Sequence, residues 1–296
     1  VLEALADRDA DECLAVVGGH TLDEHLGRVA GEGASLRVEV GRESIYFAGR
    51  YVKLSRRLPQ SPWFIDGVRK GDSSVEERIT VPAAELFGAS VCRFHAEGRE
   101  DMDVRMLGSG RPFAIELRDA CKVSPSCAQL EAAVNTGQDV QVRRMRPCSA
   151  EVMAALQRDA ESHRKTYTCV CWSSKPLGEA ELAKLREQRE LVVDQKTPVR
   201  VLHRRAPAVR PRMVHWIEAE LVNPHYFKLR LSTQAGTYVK EFVHSDLGRT
   251  RPSLRSLLGG RVEILQLDVE GLEDDEAAGD EGVLREARAS TKDEGG

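Results

Sequence analysis

Gly98-Arg99-Glu100-Asp101-Met102-Asp103-Val104-Arg105 runs almost directly into Gly108-Ser109-Gly110-Arg111-Pro112-Phe113. Upstream, Ala89–His95 alternates apolar and polar residues as a strand does, and downstream Phe113–Leu117 is a second strand-like run. The spacing therefore predicts a charged, glycine-punctuated turn between two strands. Carboxylates and arginines crowd this connection, the kind of place where binding and catalytic groups gather. A guanidinium beside a carboxylate keeps it ionised, as an anionic nucleophile or base must be. Taken alone, the same residues equally describe a solvated acidic turn.

Outward from this turn, helices and strands intermingle. Ser73 and Ser74 each precede a glutamate by three residues (Glu76, Glu77), a doubled capping-box signal for a helix start. Pro82 is expected to end or restart that helix. The pattern then predicts a short helix near Gln129–Asn135 capped by Gly137, a strand over Val140–Met145 and a helix around Val152 and Leu156. A strand over Tyr167–Trp172 and a charged helix over Gly178–Arg189 follow. Val199–His203, Val214–Leu221 and Tyr226–Ser232 read as three consecutive strands, Thr237–Leu247 as a helix ended by Gly248, and Val262–Val269 as a last strand. Ser35–Val40 alternates like a strand after helix-like segments. Such a mixture indicates an α+β fold built on a large mixed or antiparallel sheet flanked by helices. From Glu273 onward the chain is acidic and poor in large apolar residues, the composition of a disordered tail.

Charge is distributed unevenly. Lys and Arg total 43 against 47 Asp and Glu, so net charge alone argues against a nucleic-acid binder. Between Gln195 and Trp216, however, there is no acid, while Lys196, Arg200, Arg204, Arg205, Arg210 and Arg212 accumulate. Arg50, Lys53, Arg56, Arg57, Arg69 and Lys70 form a second basic stretch broken only by Asp66, and acids gather near the end at Glu273–Glu276, Asp280 and Glu281. Basic stretches interleaved with aromatics suit a polyanion. Seven cysteines show no metal spacing, and their odd number suggests reduced thiols. Cys169 and Cys171, separated by one residue on a strand, are expected to point apart. No apolar run approaches the ~20 residues of a membrane span. The chain opens on Val1, which suggests a fragment.

The turn octapeptide resembles the active-site segment of the archaeal and eukaryotic tRNA pseudouridine synthases that act on the TΨC loop. Arg42–Ile45, Ala48–Tyr51, Ser55–Trp63 and Ile65–Gly67 are similar to that family, as are Lys165–Tyr167, Gln195–Arg205 and Gln234–Thr250, all in the family's order. The resemblance implies the pseudouridine synthase fold, with residues 1–65 a partial, THUMP-containing-type accessory RNA-binding region that carries a zinc site in longer members. Residues 66–271 would be the catalytic domain and 272–296 the acidic tail. It implies a monomer in the nucleus or cytoplasm that takes tRNA, needs no metal or other cofactor, meets no membrane, and isomerises uridine at position 55 and, as an open alternative, 54.

The resemblance assigns the essential carboxylate to Asp101, as nucleophile or base at the sugar–base junction, with Asp103 as runner-up or structural turn acid. Lys240, in Gly-Thr-Tyr-Val-Lys, corresponds to the cation paired with that aspartate, where the family's arginine would offer a fork and lysine offers a point charge. Tyr167 would stack on the flipped uracil, Leu254 would close the pocket, and Tyr238 would merely pack. Arg99, Arg105 and Arg111 are candidate phosphate clamps, and Arg200 and Arg204, within Gln195–Arg205, would join Arg50–Trp63 in gripping RNA. Two rivals remain: a non-catalytic tRNA- or RNA-binding protein that keeps the fold, and a sugar hydrolase, which needs two acids in a cleft.

Overall fold

The computed structural model describes residues 42–159 and 164–272. The expected strand at Ser35–Val40 and the acidic tail lie outside the described residues, as does most of the expected accessory region. The chain forms two compact units, the first including residues 59–97 and 112–157 and the second including residues 52–58, 98–111 and 164–272. The boundary expected at residue 65 thus falls inside the first unit.

The first unit contains most of β1 (Ile45–Lys53), the two-residue strands β2 (Phe64–Ile65) and β3 (Val68–Arg69), and helix α1 (Val75–Phe87). It also contains β4 (Val91–Ala96), the second half of β5 (Arg105–Arg118), α2 (Cys127–Val134), β6 (Val140–Cys148) and most of α3 (Ala150–Asp159). Ser74 caps α1 by accepting the Glu77 amide at 3.1 Å, as its sequence signal predicted. The helix runs through Pro82 instead of stopping there. Val75, Ile79, Ala83 and Phe87, spaced by four, bury one face and offset the hydrogen bond that proline cannot make. A Ser126–Gln129 capping box opens α2, and Asn135, not Gly137, closes it. Sheet order here is β5-β1-β6, with β4 on β5. Tyr51, Phe94 and Phe113 cluster within 6.0 Å of one another, centroid to centroid.

The second unit continues with β7 (Lys165–Ser173), α4 (Glu179–Arg186), β8 (Arg189–Lys196), β9 (Val209–Asn223), β10 (Tyr226–Thr233), α5 (Val239–His244), β11 (Thr250–Arg251), α6 (Leu254–Leu258) and β12 (Val262–Leu272). Its sheet order is β11-β8-β9-β10-β7-β12-β5. The strands pair antiparallel except β12 with β5, which is parallel at Asp268↔Arg105 and Val269↔Met106. The α+β expectation with a mixed sheet therefore holds. Cys169 and Cys171 share the buried face of β7, paired in register with Leu229 and Phe227, because residues two apart on a strand point the same way. The expectation that they diverge was wrong.

Three further expectations change. The charged helix stops at Arg186, and the next residues form β8, with Val193 and Gln195 facing inward. Val199–His203 is not a strand: Pro198, at φ −57° and ψ 145°, turns the chain into a single 3-10 turn over Val199–Val201. The glycines at 108 and 110 lie inside β5 and make no turn. Gly108 has φ +57°, and a Cβ there would stand 1.4 Å from the Glu270 carbonyl oxygen, so glycine is what lets β12 approach β5.

Candidate active site

The functional turn lies between β4 and β5, and within the second unit it begins at Gly98. Gly98 has φ +80°, and a Cβ there would meet the Arg111 guanidinium at 3.0 Å. The Val104 amide closes the turn on the Asp101 carbonyl at 3.1 Å. Cations from the end of β1 and the loop after it hold its backbone. Lys53 Nζ donates to the carbonyls of Asp101 at 3.0 Å and Met102 at 3.1 Å, and Arg56 donates to that of Asp103 at 3.1 Å.

A different set of cations holds the side chains. Arg200 Nη1 donates to Asp101 Oδ2 at 2.9 Å, and Lys240 Nζ reaches the same oxygen at 3.3 Å. Lys240 also contacts both Asp103 oxygens at 2.8 Å. Partial burial pushes the Asp101 carboxyl up, but the charges of Arg200, Lys240 and Arg204 outweigh it and hold the group below its ordinary value. At neutral pH the carboxylate is ionised. Arg200 is itself fixed by the buried Glu241, whose Oε1 accepts its Nε at 2.8 Å, and its guanidinium carbon lies 5.9 Å from the Tyr238 ring centroid. The 3-10 turn after Pro198 brings Arg200 to this position.

Asp101 opens on a cavity of about 690 Å³. Arg99, Lys165, Arg204, Arg205 and Arg212 supply its cationic lining, with Tyr167 and Tyr238 as aromatic wall. Burial pushes the Tyr167 phenol up to about 12, so it stays neutral at physiological pH. The volume is within the range of small-ligand sites. Among the described residues, no cluster of His, Cys, Asp or Glu could hold a metal, and no helix is long and apolar enough to cross a membrane.

The structure brings Asp101, Tyr167, Lys240, Arg99, Arg200 and Arg204 to this one cavity. Arg200, expected to grip RNA, instead reaches the carboxylate expected to pair with Lys240. Arg105 is no phosphate clamp, since it forks onto Asp268 at 3.0 and 2.6 Å. Arg111 also lines the cavity, but it is buried there with its Nε on Glu100 at 2.9 Å. Leu254 is fully buried and stands apart from the cavity lining, so its place is core packing, not closure of the pocket. Tyr238 lines the cavity, contrary to the packing role expected for it; its place inside the Gly-Thr-Tyr-Val-Lys block was the available signal. Glu241 carried no signal, because a glutamate on a short helix reads as solvent-facing.

Fold and site together define an α+β protein with a carboxylate-centred, cation-walled site. A family model described as Pus10, C-terminal, matches residues 46–273. The chain belongs to that family. The human tRNA pseudouridine synthase Pus10 is 44% identical over 82% of this chain and 46% of its own length. The proteins of that name from Thermofilum pendens and Pyrococcus furiosus are 37% and 35% identical over 80% and 81% of this chain, and 54% and 60% of their own lengths. The chain thus spans about half the length of these relatives. A crystallised Cbf5–Nop10–Gar1 complex is similar over 76% of this chain and 48% of its own, at 14% identity with a TM-score of 0.43.

Proposed function

We propose that this chain is the catalytic part of a tRNA pseudouridine synthase, with Asp101 as its essential residue and the TΨC loop as its target, at position 55 and, as a second site, 54. The observation that carries the reading is the ionised Asp101 carboxylate, gripped by Arg200 and Lys240 at the mouth of a basic, tyrosine-walled cavity. The relatives' shared name supports the reaction class. In the isomerisation the uracil N1–C1′ bond breaks and a C5–C1′ bond forms. The C5 proton leaves and N1 gains one, so no oxidant or co-substrate enters. Asp101 acts at the sugar–base junction as nucleophile or base, and its cations keep it charged when substrate excludes water. Tyr167 presents a ring on which the flipped base stacks, offsetting part of the few kcal/mol lost on unstacking. Arg99, Arg204, Arg205 and Arg212 face the phosphates.

The same reading takes residues 1–65 as belonging to an accessory RNA-binding region that docks the tRNA, and the protein as a monomer of the nucleus or cytoplasm. A sugar hydrolase would need a protonated acid beside the ionised one. Here Asp101 and Asp103 meet the same Lys240 ammonium from one short turn, too close together to flank a glycosidic bond. The test is incubation with an unmodified tRNA transcript and mapping by carbodiimide adduct stops, with Asp101→Asn in parallel. Stops in the TΨC loop that vanish in the variant, with tRNA affinity unchanged, are expected. Intact tRNA binding with no stops from either protein would sink the enzyme reading in favour of the non-catalytic binder.

A further inference from the structure

Lys53 has no access to solvent, yet it is a lysine, and burial of an ammonium is costly unless every N–H finds an acceptor. Its three donors meet three acceptors: the carbonyl oxygens of Leu58 at 2.9 Å, Asp101 at 3.0 Å and Met102 at 3.1 Å. Two of these belong to the catalytic turn, one of them to the residue that carries the essential carboxylate. The third, Leu58, lies just beyond β1 in the same compact unit. A buried methionine or leucine would fill this space without the desolvation cost, so bulk alone does not account for the lysine.

We propose that Lys53 is a positioning residue for Asp101: its ammonium ties the carbonyls of residues 101 and 102 to that of Leu58 and thereby sets where the Asp101 carboxylate stands. The proposal rests on the isomerase reading above. The donor count gives it a consequence that mere packing lacks. A neutral amine keeps two N–H donors, so loss of the proton leaves one of the three carbonyls without its lysine donor and loosens the turn.

The groups facing Lys53 decide where this happens. Burial disfavours the charge most, Glu100, Asp103 and Asp101 favour it, and Arg111 opposes it, so the group moves from 10.5 to about 8. The sign matters. With the folded value below the unfolded one, the contribution of Lys53 to stability rises as pH goes from about 8 to 10.5, so its own loss of a proton does not weaken the fold as a whole.

The experiment is kcat and KM for tRNA across pH 6.5–9.5 for this chain and for Lys53→Met. Expected for the wild type is an alkaline limb in kcat near pH 8 with KM steady. Expected for Lys53→Met is a kcat lower by about a hundredfold at neutral pH, KM within twofold, a Tm no lower than wild type, and no such limb. A variant kcat within threefold of wild type overturns the proposal, as does a loss matched by weakened tRNA binding with the limb unchanged. If Lys53→Met does not fold, hydrogen exchange of the wild-type segment 98–105 decides. Protection that falls between pH 7 and 9 there, while the rest of the chain holds steady, supports the proposal, and constant protection overturns it. If the wild type makes no pseudouridine, the enzyme reading has failed, and the exchange measurement still tests the hold of Lys53 on the turn.

Discussion

Two basic stretches with much the same composition have different fates. In the stretch from Arg50 to Lys70, Lys53 and Arg56 turn inward onto backbone carbonyls of the Asp101 turn, Arg56 also pairs with Asp268 at 2.6 Å, and Arg69 forks onto Glu77 at 2.8 Å. In the stretch from Lys196 to Arg212, Arg200 takes hold of the Asp101 carboxylate while Arg204, Arg205 and Arg212 face the cavity. One stretch builds the scaffold of the turn and the other supplies the electrostatics of the site. Local composition does not separate them, since a cation's work is set by the acceptor it meets.

The comparison breaks most sharply at Arg200. Replacing it with methionine should lower kcat about a hundredfold, the scale on which removal of one preorganised charge acts in a partly dry site. The acid side should also move. Asp101 is held below its ordinary value, so the wild-type acid limb lies below the usual carboxylate range, and loss of Arg200 shifts the limb upward. An unmoved limb with raised KM would return Arg200 to the RNA-gripping group. Arg204→Ala is the milder case: KM rises several-fold, kcat stays within twofold, and the log–log salt slope of tRNA binding falls by about one. An unchanged slope would mean that this arginine meets no phosphate. Arg69→Ala should do least, costing about 0.5 kcal/mol of stability through an exposed pair and leaving kcat/KM as it was. A tenfold fall in kcat/KM would show that the first stretch also contacts substrate.

Much of the local structure was legible beforehand. The Ser74 cap, the strands around Cys169 and Leu229, and the α+β class follow from periods and caps that reach only a few residues. Errors arose where a longer-range contact overrode the local signal. The buried face of α1 carried the helix through Pro82. The approach of Glu270 explains Gly108, which as a lone glycine looked like turn punctuation. At the site, the motif blocks pointed to Asp101, Tyr167 and Lys240, and all three line one cavity. They did not indicate that Arg105 would pair with Asp268, which stands 163 residues away along the chain, nor that Arg111 would fold back across the turn onto Glu100, its near neighbour in sequence.

By itself, then, the sequence determined the elements, the charged turn and the family, all of which rest on local spacing and on blocks in a given order. Only the tertiary structure decided which cation serves which anion. Arg200 and Lys240 stand 99 and 139 residues from Asp101 along the chain, yet both lie within 3.3 Å of one of its oxygens. Coulomb attraction falls with distance in space, and separation along the chain carries no record of that distance.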